Sequence, residues 1–367
     1  MKLTWSQILA WRLRRQFVSA ADGPDAVAVA RRLCGVQAQV ASSARLAVAV
    51  RSARPDPGEI DRALWDDRTL VKTWLMRGGT LHLVPSGELA DHCATLATVR
   101  FWEKGSWQRG HGVTAREVEA IIDVVPAVLG ERALTREELV EAVVAQTGDG
   151  HLREALTSGW GALLKPLSRL GELCYGPPRA GKVTFTTPRA WVPDWPGALP
   201  PQEEAGVRLV RAFLGAHGPA TPEMFDTWLF GGVARKAVLK GWFQALASEL
   251  TEVTADDGTV LLALTEHLDS LATDPPSGAV HLLPGFDQYI LGAPRGLTPL
   301  LPPELRAKVS RQAGWISPVV VHEGRVAGVW EATKGGDVTL DLAVPLPRAP
   351  LEAAVARMRS LLAARTG

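Results

Sequence analysis

Three times along this chain a group of amphipathic helices runs into a strand, a tight turn and a second strand, and that recurrence limits the fold more than any single motif. The first copy opens on a capping box, Thr4 with Gln7, followed by Trp5, Ile8, Leu9, Leu13 and Phe17 at helical spacing. It closes on LVKTWLM-RGG-TLHLV, two extended runs joined by glycines. The second copy carries two more capping boxes, Thr114 with Glu117 and Thr135 with Glu138. A helix over Leu156 to Leu170, including Trp160, and the hairpin LCYGPPRAGKVTFTTP follow. The third has a helix from Glu203 to His217, a Thr221-Pro222 helix start, a helix from Arg235 to Glu249, and LTEVTADDGTVLLAL with an Asp257-Gly258 turn. Helices followed by a hairpin is the winged-helix plan, the hairpin being the wing. The pattern predicts an α+β fold of three tandem winged-helix units, residues 1–112, 113–200 and 201–275, with a proline-rich linker before the third. Residues 276–367 turn to short strands and predict a small antiparallel β-rich unit closed by a helix from Leu351 to Ala364.

Composition narrows the function classes. A chain of 367 residues with 46% hydrophobic residues and a mean hydropathy of +0.04 can bury a substantial core. The start, MKLTWSQILAWRLRRQ, is charged throughout and lacks the apolar region of a signal peptide, and no run approaches a bilayer span. A cytoplasmic protein with no membrane contact is expected. Cys34, Cys93 and Cys174 lie far apart without CxxC spacing, and the histidines are dispersed, so neither a disulfide framework nor a metal site is expected. The chain has no GxxxxGK[ST], no GxGxxG after a strand, no GxSxG and no HExxH, the usual hardware of phosphate, dinucleotide, esterase and zinc-protease chemistry. No cofactor is expected. Net charge is +1, yet residues 1–120 carry 17 Lys+Arg against 12 Asp+Glu, so the first third is the basic part.

Within that basic part lies Gln37-Ala38-Gln39. Residues Asp25 to Cys34 read as a helix ended by Gly35, and Ser42 is placed to cap the next, so the three residues fall in a connection. On an extended backbone residues i and i+2 project to the same side. Two neutral amides would then face one space and could hold a water or a polar substrate. The chain contains no asparagine, so every neutral side-chain amide comes from glutamine. An arbitrary pair of loop glutamines more often serves backbone groups, and context decides between the two readings.

The context is a resemblance. GVQAQ, ALWDDRTLVKTWLMRGGTLHLV, LLPGFDQYILG and VVVHEGRVAGVWE, in that order, resemble the winged-helix DNA glycosylase family of AlkZ and YcaQ type over essentially the whole chain. The resemblance implies a concave, positively charged face for double-stranded DNA carrying alkylated purines, a monomer working at the nucleoid, and catalysis by Gln37 and Gln39. Glutamine at both outer positions matches the AlkZ branch, which implies action on bulky adducts and interstrand crosslinks of the azinomycin type. The family wing reads MRGTLH, and Gly78-Gly79 departs from it, which bears on the turn's geometry.

Glutamine cannot serve as a base near neutral pH, so the chemistry must scarcely need one. N7-alkylguanine meets that demand, because it carries a positive charge and leaves as a neutral base. In this reading Gln39 positions the attacking water, and Gln37 orients that water or contacts the deoxyribose or phosphate. Arg77, at the hairpin tip, is the first candidate for a DNA contact, with Lys72 and His82 on the same hairpin and Arg12, Arg15 and Arg45 next. Asp287 and Tyr289 of FDQYILG are expected to cap a turn and fill the core, as are the scattered tryptophans. The alternative is a non-enzymatic winged-helix transcriptional regulator. It is disfavoured because the helix over Leu156 to Leu170 keeps only Lys165 and Arg169 as basic residues.

Overall fold

The computed structural model of the protein describes residues 1–19, 23–157, 161–273, 276–333 and 336–364. Its strands, in chain order, are β1 (Lys2–Leu3), β2 (Val36–Gln37), β3 (Leu70–Trp74), β4 (Leu81–Pro85), β5 (Leu134–Thr135), β6 (Cys174–Arg179) and β7 (Lys182–Thr186). They continue as β8 (Leu250–Ala255), β9 (Val260–Leu264), β10 (Val280–Leu283), β11 (Val319–His322), β12 (Arg325–Ala332) and β13 (Val338–Leu342). The three predicted hairpins are β3–β4, β6–β7 and β8–β9, each antiparallel and each completed by one two-residue strand. β2 and β5 join the second strand of their own hairpin. β1 comes from the far end of the chain and lies parallel to β8.

The helix starts follow the capping chemistry. Thr4, Thr114 and Thr135 each accept the backbone N–H three residues on, while the Gln or Glu at that position reaches back to the cap N–H. Asp25 caps the helix Ala26–Arg32. Ser42 does not cap its helix: Ala41–Ala49 starts after Val40, which leaves Ser42 inside the first turn. The single helix expected over Leu156 to Leu170 is broken into His151–Thr157, a short turn at Ala162–Leu164 and Lys165–Arg169. Gly161 in a left-handed conformation interrupts it, and Trp160 falls outside the described residues.

Sequence order is not spatial order. Trp5, Ile8, Leu9 and Leu13 of the first helix pack in one core with Val253 and Leu261 of the third hairpin and Val319, Val321 and Trp330 of the C-terminal sheet. The first hairpin is an interior sheet rather than a protruding wing. Val71 and Val84 face a core with Phe213 and Trp228, while Val36, Leu70 and Leu83 face another with Val29, Leu33 and Leu64. Sequences apolar on both faces of a strand demand such cover.

The C-terminal sheet runs β10-β11-β12-β13, all antiparallel, with Glu323 and Gly324 in the left-handed region at the β11–β12 turn. The final helix, Arg348–Ala363, lays Met358 and Leu361 on the same core. FDQYILG is not a strand continuation. Asp287 accepts the N–H of Tyr289 at 2.8 Å and starts a helical turn, Gln288–Leu291. The Asp287 carboxylate also takes both ends of the Arg51 guanidinium at 2.7 Å, and both side chains are fully buried. This pair ties the end of the helix Ala41–Ala49 to the segment that roofs the motif.

Candidate active site

Gln37 sits on β2, directly opposite His82 of β4. Strand alternation sends Val36 and Ala38 into one core and turns Gln37 the other way. There it lines a cavity of about 460 Å³, with Arg77 and Thr80 of the β3–β4 turn, Thr227 from the third copy, and Leu291 and Arg295 from the segment after FDQYILG. The residue is 6% exposed, and its Oε1 is buried without a hydrogen-bond partner. Gln39 is solvent-exposed, and its Oε1 accepts the N–H of Leu81 at 3.4 Å. The two amides therefore leave the chain two residues apart, as expected, but in unlike surroundings: one in the cavity, one in water.

Arg77 occupies the turn, but it does not reach outward. It adopts φ 54°, followed by Gly78 at 77° and Gly79 at 85°, three successive left-handed residues. Two glycines make such a run affordable to the backbone, which accounts for the double glycine. Folded under in this way, Arg77 donates through Nη1 to the carbonyl of Leu291 at 2.6 Å. Burial, with Arg295 adding like charge, lowers its pKa to about 10, so it remains a cation at neutral pH. The residues lining the cavity include two guanidinium groups and no carboxylate. Such a space favours an anion.

The other expected contacts divide by burial. His82 is fully buried, its Nδ1 2.9 Å from the carbonyl of Thr80, and desolvation pushes its pKa down to about 3, so a direct DNA contact has no place here. Arg12 is likewise buried, donating to the carbonyls of Gly218 at 3.1 Å and Pro219 at 2.8 Å. Its role is to join the first helix to the third copy, not to meet phosphate. Arg15 donates to Gly215 at 2.8 Å and lies over Trp11. Arg45 holds both oxygens of Asp61 at 2.9 and 2.8 Å and lines a separate pocket of about 290 Å³ that contains no motif residue. Lys72 is half-buried, with its ammonium 5.3 Å from the ring centre of Tyr175 and its pKa lowered by burial and then by Arg45. Of the six, only Arg77 lines the cavity with Gln37.

Arg295 and the small hairpin bridged at Ser310 and Ile316, whose Gly314 and Ile316 complete the cavity wall, were not among the residues expected from the sequence. Trp315 at its turn is 45% exposed and meets Phe286, another lining residue, edge to face at 5.0 Å. The available signals were Pro294-Arg295-Gly296 just after FDQYILG and the lone RQAGW turn. Among the described residues no three His, Cys, Asp or Glu side chains are grouped so as to hold a metal ion, and no helix is long and apolar enough to cross a membrane.

The fold has close counterparts among known proteins. Residues 30–364 match the family described as DNA glycosylase AlkZ-like. The chain belongs to that family and is a DNA glycosylase. It is 47% identical over 332 residues, 90% of this chain and 88% of the relative, to the interstrand DNA cross-link repair glycosylase of Streptomyces sahachiroi. The solved structure of Streptomyces sahachiroi DNA glycosylase AlkZ superposes with a TM-score of 0.93 at 43% identity, covering 98% of each chain.

Proposed function

We propose that this glycosylase hydrolyses the N-glycosidic bond of N7-alkylated purines in duplex DNA, including bulky adducts and interstrand crosslinks such as the relative's name specifies. It would act as a monomer, in the cytoplasm at the nucleoid, and protect its host from a DNA-alkylating natural product. The observation that carries the reading is the buried, unpartnered Gln37 amide oxygen on a residue that lines a cavity with Arg77 and Arg295 and with no carboxylate.

A site without an acid or base suits a substrate that supplies its own charge. As the C1′–N9 bond breaks, its electron pair returns to the cationic purine, which departs neutral. The oxygen of a water bonds to C1′, and the proton that water loses passes to solvent. Gln39 positions the water from the exposed side, and the Gln37 carbonyl orients it and faces the positive charge developing on the sugar. Arg77 and Arg295 take the phosphate beside the lesion, and their charge keeps the cationic base on the glutamine side of the cavity. The three helix and hairpin copies, 1–112, 113–200 and 201–275, supply the remaining DNA face.

The charge requirement can be tested directly. Duplexes bearing one N7-methylguanine or one neutral 1,N6-ethenoadenine are incubated with the protein in chelator, and abasic sites are scored by alkaline cleavage. The expected result is cleavage at the cationic lesion alone. Equal release of the neutral lesion, or loss of activity on chelation, would overturn the reading.

A further inference from the structure

The rung of the sheet that carries Gln37 also carries His82 on β4 and Thr73 on β3, each directly opposite the next. Directly opposed residues of an antiparallel pair project from the same face, so the three side chains form one row. His82 lies in the middle, fully buried. Its Nδ1 is 2.9 Å from the carbonyl of Thr80, which can only accept, so Nδ1 carries the proton and Nε2 is a lone-pair acceptor. That Nε2 is buried with no partner. Thr73 cannot serve it, because its hydroxyl donates to the carbonyl of Leu173 at 3.1 Å. On the other side stands Gln37, whose Oε1 is also buried with no partner. Two buried acceptors on one rung with no donor between them leave both unsatisfied, and turning the Gln37 side chain about its χ angles, so that the amide nitrogen comes to Nε2, satisfies the histidine. The Gln37 N–H then donates to His82 Nε2 while the amide oxygen turns to the cavity that Gln37 lines.

We propose that His82 is a positioning residue: through Nε2 it accepts an N–H of the Gln37 amide and so fixes the amide oxygen toward the substrate. This rests on the reading of Gln37 as the group that orients the attacking water. It also reassigns a histidine that the sequence placed on the DNA. The burial that bars His82 from DNA keeps its ring neutral at physiological pH, which the acceptor role requires.

Two substitutions separate this role from plain structural support. His82→Asn keeps a donor for Thr80 and loses the acceptor at Nε2, whereas His82→Gln keeps an acceptor near the Nε2 position and loses the donor. With variants whose melting is cooperative, single-turnover release of N7-methylguanine should fall about tenfold or more in His82→Asn, with duplex Kd unchanged, and His82→Gln should stay nearer wild type. A structural role centred on the Thr80 bond gives the reverse order, and that order, or equal rates in both, overturns the proposal. A second measurement needs no activity. In histidine ¹⁵N spectra the His82 Nε2 signal, assigned with His82→Gln, should lie at a hydrogen-bonded pyridine-type value and move toward the free value in Gln37→Ala. No movement overturns the proposal. If Gln37→Ala releases base at the wild-type rate, the reading of the site fails, and the ¹⁵N result alone then decides whether the hydrogen bond exists.

Discussion

At the scale of the residue, the site depends on where charge is absent as much as on where it is placed. Gln37 faces Arg77 and Arg295 across a cavity of about 460 Å³ lined by no carboxylate. If the two arginines hold one phosphate, Arg77→Ala and Arg295→Ala should each weaken duplex binding and reduce the slope of log Kd against log salt by about 1. The check is a fluorescence titration from low to moderate salt; an unchanged slope in either variant removes that residue from the phosphate. The spacing of Gln37 and Gln39 and the turn position of Arg77 are local properties and were legible in the sequence; that Gln39 stays outside the cavity and that Arg77 folds under toward Leu291 depend on the fold and were not. Arg295 was not, since only folding brings residue 295 beside residue 37. His82 lies inside and not on the DNA side because TLHLV is apolar on both faces, the pattern of a strand covered on two sides, which draws the histidine in with it.

At the scale of the element, the cavity exists because a helix, a sheet and a short turn are locked together. Arg51, just beyond the helix Ala41–Ala49, donates to the carbonyls of Gln16 and Ala47, both at 2.8 Å, and to both oxygens of Asp287. Asp287 opens the turn whose Leu291 carbonyl receives Arg77. Removing one partner strands a buried charge, so Arg51→Met or Asp287→Leu alone should cost about 3–5 kcal/mol, measured by chemical denaturation. The double variant should recover part of that loss; a double variant as unstable as the sum of the singles would contradict the pairing. Helix starts and hairpins were readable from capping boxes and turn residues. The partners of the two-residue strands were not, because β1 finds β8 across the whole chain.

At the scale of the whole molecule, several histidines serve the core as neutral groups. Burial lowers the pKa of His82 and His217 to about 3, and that of His281 to about 4, with Arg357 and Arg51 adding like charge at His281. In the unfolded chain these groups titrate near 6.5, so between that value and their folded values the unfolded state binds more protons. Their stabilising contribution is complete above about pH 6.5 and declines as pH falls, by at most about 2 kcal/mol per fully buried group at pH 5. His151, raised by Glu117, works in the opposite sense but is exposed. Tm should therefore fall from pH 7 to pH 5, a range above the titration of the carboxylates whose pKa is lowered, with Glu172, raised by burial, acting in the opposite sense to the histidines. A flat Tm across it would mean that the buried histidines are already protonated in the fold.

All three scales meet at Gln37, and one measurement weighs it most directly. Single-turnover release of N7-methylguanine is followed for wild type and Gln37→Ala at saturating protein, with duplex affinity measured alongside. The account expects the rate to drop about a hundredfold or more while Kd stays within a few-fold, because the amide acts on the breaking bond and not on the DNA backbone. A Gln37→Ala enzyme that releases the base at the wild-type rate would contradict it.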